Sequence, residues 1–377
     1  MNYLMVDISG KVLNYDIALC EALSKDMLSK DHLIFLAANV NPTKVDCECR
    51  RLISLIPTSL QNSDNTLKRG FKAIEGIINY LYLILYLLLH KIDILHFQWL
   101  PFLEICAVEK FFLCVIKIIS PKTKVILTIH NLYPHNFSIV QKKVYKQRFK
   151  DIQKFFDKFI LHLEVSRKEF CRDFRIEDSK TCVIPHGVFA PKGIKIESHK
   201  RGEKLNLIMY GNQSYYKGTD VLVDALNRLS SDYQKKVRTV IVGKIASDYY
   251  MSLKTKTEKL DVEWIPEFVS DKVLYSKISE SDVIVIPYRE ISQSGVLLLA
   301  LSFNRFFIVS NLPSFQETLA DFGDEVFFEN ENAESLANAI KRYVDRDVDD
   351  ECFLNRLEGL QQRYSWENVA SLYRDMF

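Results

Sequence analysis

The eight cysteines of this 377-residue chain form no disulfide framework. Cys47 and Cys49 stand one residue apart, which suits neither a zinc knuckle nor a redox pair, and the others are scattered. The opening residues, MNYLMVDISG, lack the positive stretch followed by an apolar one that marks a secretory leader, so the expectation is a cytoplasmic protein. There is no Walker loop: GNQSYYKG has the wrong spacing and does not end in Lys-Ser or Lys-Thr. No strand ends in a pair of aspartates. The acidic run Asp345 to Asp350 follows a helical stretch and reads as a solvated loop, so neither a metal nor another cofactor is expected. Internal repeats, low-complexity tracts and nucleic-acid motifs are missing too, which leaves no nucleic-acid partner to expect. The most apolar run, Ile77 to Leu89, makes roughly 20 Å of helix against a hydrocarbon core of ~30 Å. A buried or interfacial helix fits it better than a membrane span.

What is present is an ordinary globular composition, 48% hydrophobic and 26% charged, in a chain long enough for two cores. The net charge of +2 hides an asymmetry. Residues 1–190 carry 26 Lys and Arg against 19 Asp and Glu, and the remainder carries 24 against 29. A basic half points to an anionic partner such as a phospholipid surface or a phosphorylated acceptor. The stretch from Gln141 to Lys158 mixes lysines with Phe149, Phe155 and Phe156, which reads first as a solvated helix face and second as a helix that lies on an anionic membrane. The second reading predicts a peripheral position at the inner face of the plasma membrane.

Short β-rich runs alternate with helical ones through the first half. One helix is predicted from Phe102 to Ile119, and Ser166 to Glu169 reads as the capping-box start of another. Ala190 to Glu203 is polar, carries a proline and two glycines, and reads as a linker, after which the alternation restarts at Leu205. The expectation is an α/β protein with two Rossmann-like domains, residues 1–190 and 204–362, each around a parallel sheet.

Ligands of such sheets sit outside the carboxyl ends of the strands, so the residues that follow strands are the candidates. The run Asp282 to Tyr288 ends in a polar turn, and Ser294-Gly295 then opens a small-residue helix whose first N–H groups attract an anion. Gly211 and Lys217 lie in the other strand-to-helix loop of that domain. In the first domain His130 and Asn131 follow an apolar strand, with His135 in the same loop. His186 precedes Gly187, where an interdomain hydrogen bond is the plainer reading. Tyr15 and Asp16 open a helix, where an acidic residue is favourable in any case.

These loops in this order resemble the GT-B glycosyltransferases of the family 4 type over nearly the whole chain. YGNQSYYKGTDVLVDAL is similar to that family's glycine–lysine–glycine loop, VIVGK to its second strand, and SGVLLLALSFNRFFIVS to its signature helix and strand. WIPEFVSDKVLYSKISESDVIVIPY resembles the base-binding turn, LTIHNLYPHN and VIPHGV the first domain's loops, and YSWENVASLY the terminal helix that crosses back. The resemblance implies two Rossmann-like domains facing each other across a cleft, with a helix of about residues 363–377 returning to the first. It implies retaining transfer of a sugar from a nucleotide-diphosphate donor to a glycan or lipid-linked acceptor in surface polysaccharide synthesis. Lys217 and Gly211 would hold the diphosphate, and Ser294, Gly295 and Val296 the distal phosphate and sugar. Val269 would flank the base, Ser9 and Gly10 would face the donor, and His130 would touch the sugar near its anomeric carbon. Asn131, His135, Tyr15, Asp16 and His186 are the acceptor or sugar candidates. Two positions depart from the family pattern. Asn212 stands where an arginine is common, and the glutamate pair is broken, because the eighth residue after Glu290 is Leu298.

Two rival readings share the architecture. A nucleotide-sugar 2-epimerase needs carboxylates and histidines for proton exchange, and a non-catalytic nucleotide-sugar-binding module is suggested by the missing glutamate. Donor hydrolysis without acceptor separates an enzyme from a binder, and an epimerised free nucleotide sugar identifies the epimerase.

Overall fold

Strands that are apolar along their whole length need cover on both faces, which parallel sheets obtain from the helices of their own crossovers. A computed structural model describes residues 1–26, 31–55, 66–134, 137–189, 201–346 and 350–376. The chain divides into two compact units, Met1–Gly187 with Trp366–Phe377, and Val188–Ser365.

The first unit runs β1 (Asn2–Asp7), α1 (Leu13–Asp26), β2 (His32–Ala37), β3 (Cys49–Arg51), α2 (Thr66–Leu89), β4 (Ile94–Trp99), α3 (Val108–Ile119), β5 (Lys124–Thr128), α4 (Ile139–Ile152), β6 (Lys158–Leu161), α5 (Glu164–Phe174) and β7 (Thr181–Val183). The strands form a wholly parallel sheet in the order β3-β2-β1-β4-β5-β6-β7. Leu4, Val6, Leu95, Phe97, Val125, Leu127, Phe159 and Leu161 face α2 to α5. The alternate residues, including Tyr3, Met5, Phe35, Ile126 and Ile160, face α1 and the last helix of the chain.

The second unit restarts with β8 (Leu205–Tyr210), α6 (Thr219–Arg228), α7 (Ser231–Lys235), β9 (Val237–Val242), α8 (Ser247–Lys256), β10 (Val262–Ile265), α9 (Asp271–Ser279), β11 (Val283–Ile286), α10 (Gly295–Ala300), β12 (Phe306–Ser310), α11 (Pro313–Thr318), β13 (Phe327–Phe328), α12 (Ala333–Asp345) and α13 (Asp350–Arg363). Its parallel sheet has the order β10-β9-β8-β11-β12-β13. The chain then returns to the first unit as α14 (Trp366–Arg374), which packs on α1 and buries Val369, Ala370 and Tyr373. The fold class is the one expected, two α/β units each around a parallel sheet.

Each sheet reverses its strand order once, between β1 and β4 and between β8 and β11. Connections leave those neighbours in opposite directions, so a crevice opens at their carboxyl ends, and it is there that α/β sheets bind ligands.

Three local expectations change. The helix expected from Phe102 starts only at Val108, because Phe102 N–H is held by the Glu109 carboxylate and residues 101–105 form turns. The capping box is at Ser138 and Gln141, ahead of α4, rather than at Ser166; Ser166 is buried inside α5. Phe149 and Phe156 do not face outward among the lysines of α4. Both are core residues, and Phe155 is packed against the same core, since the helix turns its aromatics toward β6. Most of the Ala190–Glu203 linker and part of the Asp345–Asp350 run lie outside the described residues, as does His135.

Candidate active site

At the carboxyl end of β1, Asp7 is completely buried and its carboxylate gathers the next loop around itself. It accepts from Ser9 N–H (3.1 Å), Gly10 N–H (2.9 Å), Val12 N–H (3.1 Å) and the Ser9 hydroxyl (3.3 Å). Gly10 has φ +63°, and a side chain there would run into the Ala38 carbonyl, so only glycine completes the turn. Ser9 and Gly10 therefore present a fixed, half-exposed edge at the switch point.

Beside that edge, three strand ends supply histidines, and His96 lies within β4. His162, just beyond β6, has Nδ1 3.0 Å from the Ile184 carbonyl, which can only accept, so the proton sits on Nδ1. Its Nε2 must then accept from His130 Nδ1, 3.1 Å away. His130 Nε2 lies 3.3 Å from Gln98 Oε1, an oxygen that can only accept, so this contact calls for a proton on Nε2 while the chain through His162 calls for one on Nδ1. Burial, then the neighbouring His162, His186 and His96, holds His130 well below the ordinary imidazole range, so it is neutral at pH 7. His162 falls to about 4, and His96 and His186 to about 3, all through burial. His130 is thus a neutral ring whose two nitrogens face His162 and Gln98.

An open hollow of ≈ 420 Å³, its solvent-filled mouth included, lies against His130 and Asn131, walled by Trp99, Pro134 and Tyr145. Lys11 sits 4.9 Å over the Trp99 ring. Tyr15 and Asp16 lie beneath this surface, both buried, and the expectation that they touch an acceptor is corrected. Tyr15 fills the aromatic nest under His130 (4.8 Å between ring centres) and meets Tyr373 hydroxyl to hydroxyl at 2.9 Å. Asp16 sits against Asp7, and burial followed by that neighbour raises its pKa. His186 is likewise buried, with Nδ1 2.6 Å from the Gly187 carbonyl and its ring against Trp366.

In the second unit the loops after β8 and β11 meet. Gly218, at φ +70°, comes so close to the Pro287 carbonyl that any side chain would collide with it. This contact lets Lys217 turn inward. Lys217 is only 7% exposed, and its ammonium donates to the Tyr288 hydroxyl at 2.7 Å. That hydroxyl in turn interacts with the Ser294 side chain, so Lys217 and Ser294 meet through Tyr288. Among the described residues no carboxylate pairs with Lys217, and burial lowers its pKa to about 8. A desolvated cation that lacks a counter-ion, directly beneath Gly211, is placed to receive an anion.

Ser294 caps α10 by accepting from Leu297 N–H at 3.1 Å, and the Tyr210 hydroxyl donates to the Val296 carbonyl at 2.8 Å. Gly295 has room: an added Cβ would approach only Phe189, at 3.8 Å. Glu290 is exposed beyond β11 and Val269 is half-buried beyond β10, next to the fully displayed Phe268. Arg289 fixes the two loops to each other. It forks onto Asp220 at 2.9 and 2.8 Å, donates to the Tyr215 carbonyl, and its N–H donates to the Tyr216 carbonyl at 2.7 Å. Asp7, Gln98, His162, Tyr288 and the Arg289–Asp220 pair were not singled out from the sequence. The position after an apolar strand could have flagged Gln98, His162 and Tyr288; nothing local marks the Arg289–Asp220 partnership, which spans 69 residues.

With this geometry, comparisons with known proteins are informative. The family profile "Glycosyl transferases group 1" matches residues 204–346, and "Glycosyltransferase Family 4" matches residues 65–189. The chain is 26% identical over 256 residues to a GDP-mannose:glycolipid 4-beta-D-mannosyltransferase of Xanthomonas campestris pv. campestris, over 63% of this chain and 66% of the relative. The match therefore spans just under two thirds of that protein's length. Among solved structures, Anabaena HepE in complex with UDP-glucose aligns over 100% of this chain and 99% of its own (TM-score 0.68, 14% identity). A Rickettsia africae glycosyltransferase aligns over 100% and 97% (TM-score 0.67, 18% identity). At such identities the likeness concerns the fold, which is GT-B.

Proposed function

Because the chain belongs to the glycosyltransferases of group 1 and family 4, we propose that it transfers a hexose from a nucleotide-diphosphate donor to a glycan or lipid-linked acceptor. The observation that carries this reading is Lys217, a buried ammonium with no carboxylate partner among the described residues, joined through Tyr288 to the Ser294 loop. The diphosphate supplies the missing charge. Lys217 and the Gly295 and Val296 N–H groups would stabilise it as it leaves, when its negative charge grows. The mannosyl relative and the UDP-glucose neighbour make GDP-mannose and UDP-glucose the first donors to try. The relative's glycolipid acceptor supports a lipid-linked one here, and with it a place in surface polysaccharide assembly at the cytoplasmic face of the membrane.

In the retaining form of the reaction the donor's anomeric C–O bond breaks and the acceptor oxygen bonds the same carbon from the same side. The acceptor's proton passes to the departing phosphate, so no protein base is needed, and nothing in the scheme needs a metal. One observation favours a second form. His130 is a neutral imidazole beside the hollow, the kind of group that takes the acceptor's proton in an inverting transfer. Proton NMR of the product's anomeric configuration decides between the two.

The reading is tested with UDP-, GDP- and ADP-sugars, by transfer assays with and without EDTA and by donor titration. Lys217→Ala should weaken donor binding about 10- to 100-fold, the worth of a charge-assisted contact, and lower kcat as well. Unchanged donor affinity and kcat would remove Lys217 from the site. Complete loss of transfer with EDTA, restored by Mg²⁺ or Mn²⁺, would contradict the metal-free scheme.

A further inference from the structure

Helix α2 turns one face into the core of the first unit and leaves the opposite face apolar. Asn79, Tyr80, Leu83, Tyr86 and Leu87 are buried. Ile74, Ile77, Leu81, Leu85 and Leu88 recur every three or four residues along the outer face and are between 41% (Ile77) and 60% (Leu88) exposed. A water-facing stripe ordinarily carries charge. Between Ala73 and Leu89 the one ionisable acid or base is Glu75, which is buried and accepts from Leu55 N–H. Helix α3, packed beside α2, continues the surface with Phe111 (63% exposed) and Ile118 (71%). Ile105 and, in the first turn of α4, Ile139 and Val140 are exposed as well. An exposed apolar area shared by neighbouring helices marks a docking surface.

We propose that the outer face of α2 and α3 seats this protein on an anionic lipid leaflet, with the lysines of α4 reaching the headgroups. Residues 70–89 are long and apolar enough to cross a membrane by length and composition. Their inner face forbids it. Asn79 exchanges hydrogen bonds with Ile8 and Ile53, and Tyr80 stacks on Phe112 at 4.4 Å, so leaving the core would dismantle the unit. A helix pinned along one side and apolar along the other lies in the interface plane.

Charge selects the occupant. Residues 70–152 hold eleven Lys and Arg against five Asp and Glu, and two of the five, Glu75 and Glu109, are buried. Lys110, Lys142, Lys143 and Lys150 are exposed on α3 and α4. A second copy of this chain would bring like charge against like, whereas an acidic leaflet is complementary. The cations and the apolar stripe sit on different helices, which is why α4 alone gave the wrong face. In parallel crossovers each helix starts at the carboxyl end of the preceding strand. Ile105 and Ile139 therefore lie at the His130 end of the sheet, where a lipid-borne acceptor would be delivered. That purpose rests on the lipid-acceptor reading, while the surface itself does not.

Full-length protein is mixed with vesicles of phosphatidylcholine alone or containing about a third phosphatidylglycerol, and binding is read by flotation. Binding should require the anionic lipid and weaken with salt. Leu81→Glu with Leu85→Glu should lower it at least about tenfold, since each buried leucine contributes a factor of that order. Lys142→Glu with Lys143→Glu should lower it comparably. Both variants should keep the wild-type melting temperature and the wild-type titration with GDP or UDP, which reads the Lys217 site. Should the glutamates unfold the protein, Leu85→Trp with bromine-labelled lipids replaces them, and quenching of the new fluorescence is expected. Equal binding to neutral vesicles, undiminished binding of the α2 variant, or an unquenched Trp would overturn the proposal. So would a wild-type dimer that ignores vesicles and that the α2 variant splits, because the occupant would then be a second copy. Vesicle binding without nucleotide binding would leave the lipid face standing and count against the sugar-transfer reading alone.

Discussion

A lysine buried without a counter-ion is a cost that a bound anion removes. The Lys217 ammonium falls from 10.5 to about 8, while the unfolded chain keeps its proton to the ordinary value. Below about pH 8 the folded protein carries the buried charge, so stability should rise with pH from 8 toward 10.5 as the folded form loses the proton first. The penalty is on the order of 3 kcal/mol at pH 7. Lys217→Met should therefore melt at or above the wild-type temperature without nucleotide, even though the Tyr288 hydroxyl loses its donor, yet bind the donor much more weakly. Donor affinity of the wild type should decline above about pH 8 as the ammonium is neutralised; calorimetric titration across pH 6–10 measures it. Asp16 behaves oppositely. Its pKa is raised by burial and by Asp7, so its ionisation costs stability as pH climbs above its ordinary value of 3.8. Asp16→Asn, which mimics the protonated form, should be at least as stable as the wild type at pH 7, and the difference should shrink at pH 4. Denaturant melts at the two pH values check the sign, and a variant much less stable at pH 7 would mean that Asp16 is ionised in the fold.

At the scale of elements, the site consists of strand-to-helix loops held by a few long-range contacts. Arg289 and Asp220 join the loop after β11 to the first turn of α6, and the guanidinium also closes over the Tyr215 ring at 4.0 Å. Both partners are partly buried, so removing one strands the other. Arg289→Ala should destabilise the protein by about 1–3 kcal/mol and weaken donor binding, because the Lys217 turn hangs on the same carbonyls. Arg289→Lys should recover little, since a lysine cannot fork onto a carboxylate. The double variant with Asp220→Asn should lose less than the sum of the two single changes, and a double-mutant cycle in denaturant gives the coupling. Strict additivity would show that the clamp does not hold the loops. The first unit uses the same device with Asp7, a carboxylate that orders Ser9 to Val12.

At the scale of the molecule, the two units have separate cores, and the candidate donor residues Gly211, Lys217, Val269 and Ser294 to Val296 all belong to the second. Scanning calorimetry with GDP or UDP should therefore raise the melting of the second unit more than that of the first. At a hundredfold excess over Kd the gain is about 2.7 kcal/mol. A shift confined to the first unit would move the nucleotide site away from Lys217.

The alternation of apolar runs with helical ones, and the rule that ligands collect at the carboxyl ends of parallel strands, were enough to read two α/β units. They also put His130, Lys217 and Ser294-Gly295 at strand ends. These are local properties: periodicity and a glycine or lysine at a turn are carried by adjacent residues. Periodicity also says which residues of α2 share a face, but not which face a neighbour covers, so the helix of Leu81 and Leu85 read as buried or interfacial until the packing of α3 and β4 left those two outside. Phe149 and Phe156 looked like surface until β6 claimed them. The burial that isolates Lys217, the His130–His162–Ile184 chain and the Arg289–Asp220 fork joins positions up to 71 residues apart. Only the closed sheets decided those, because desolvation and hydrogen-bond partners are set by what arrives from elsewhere in the chain.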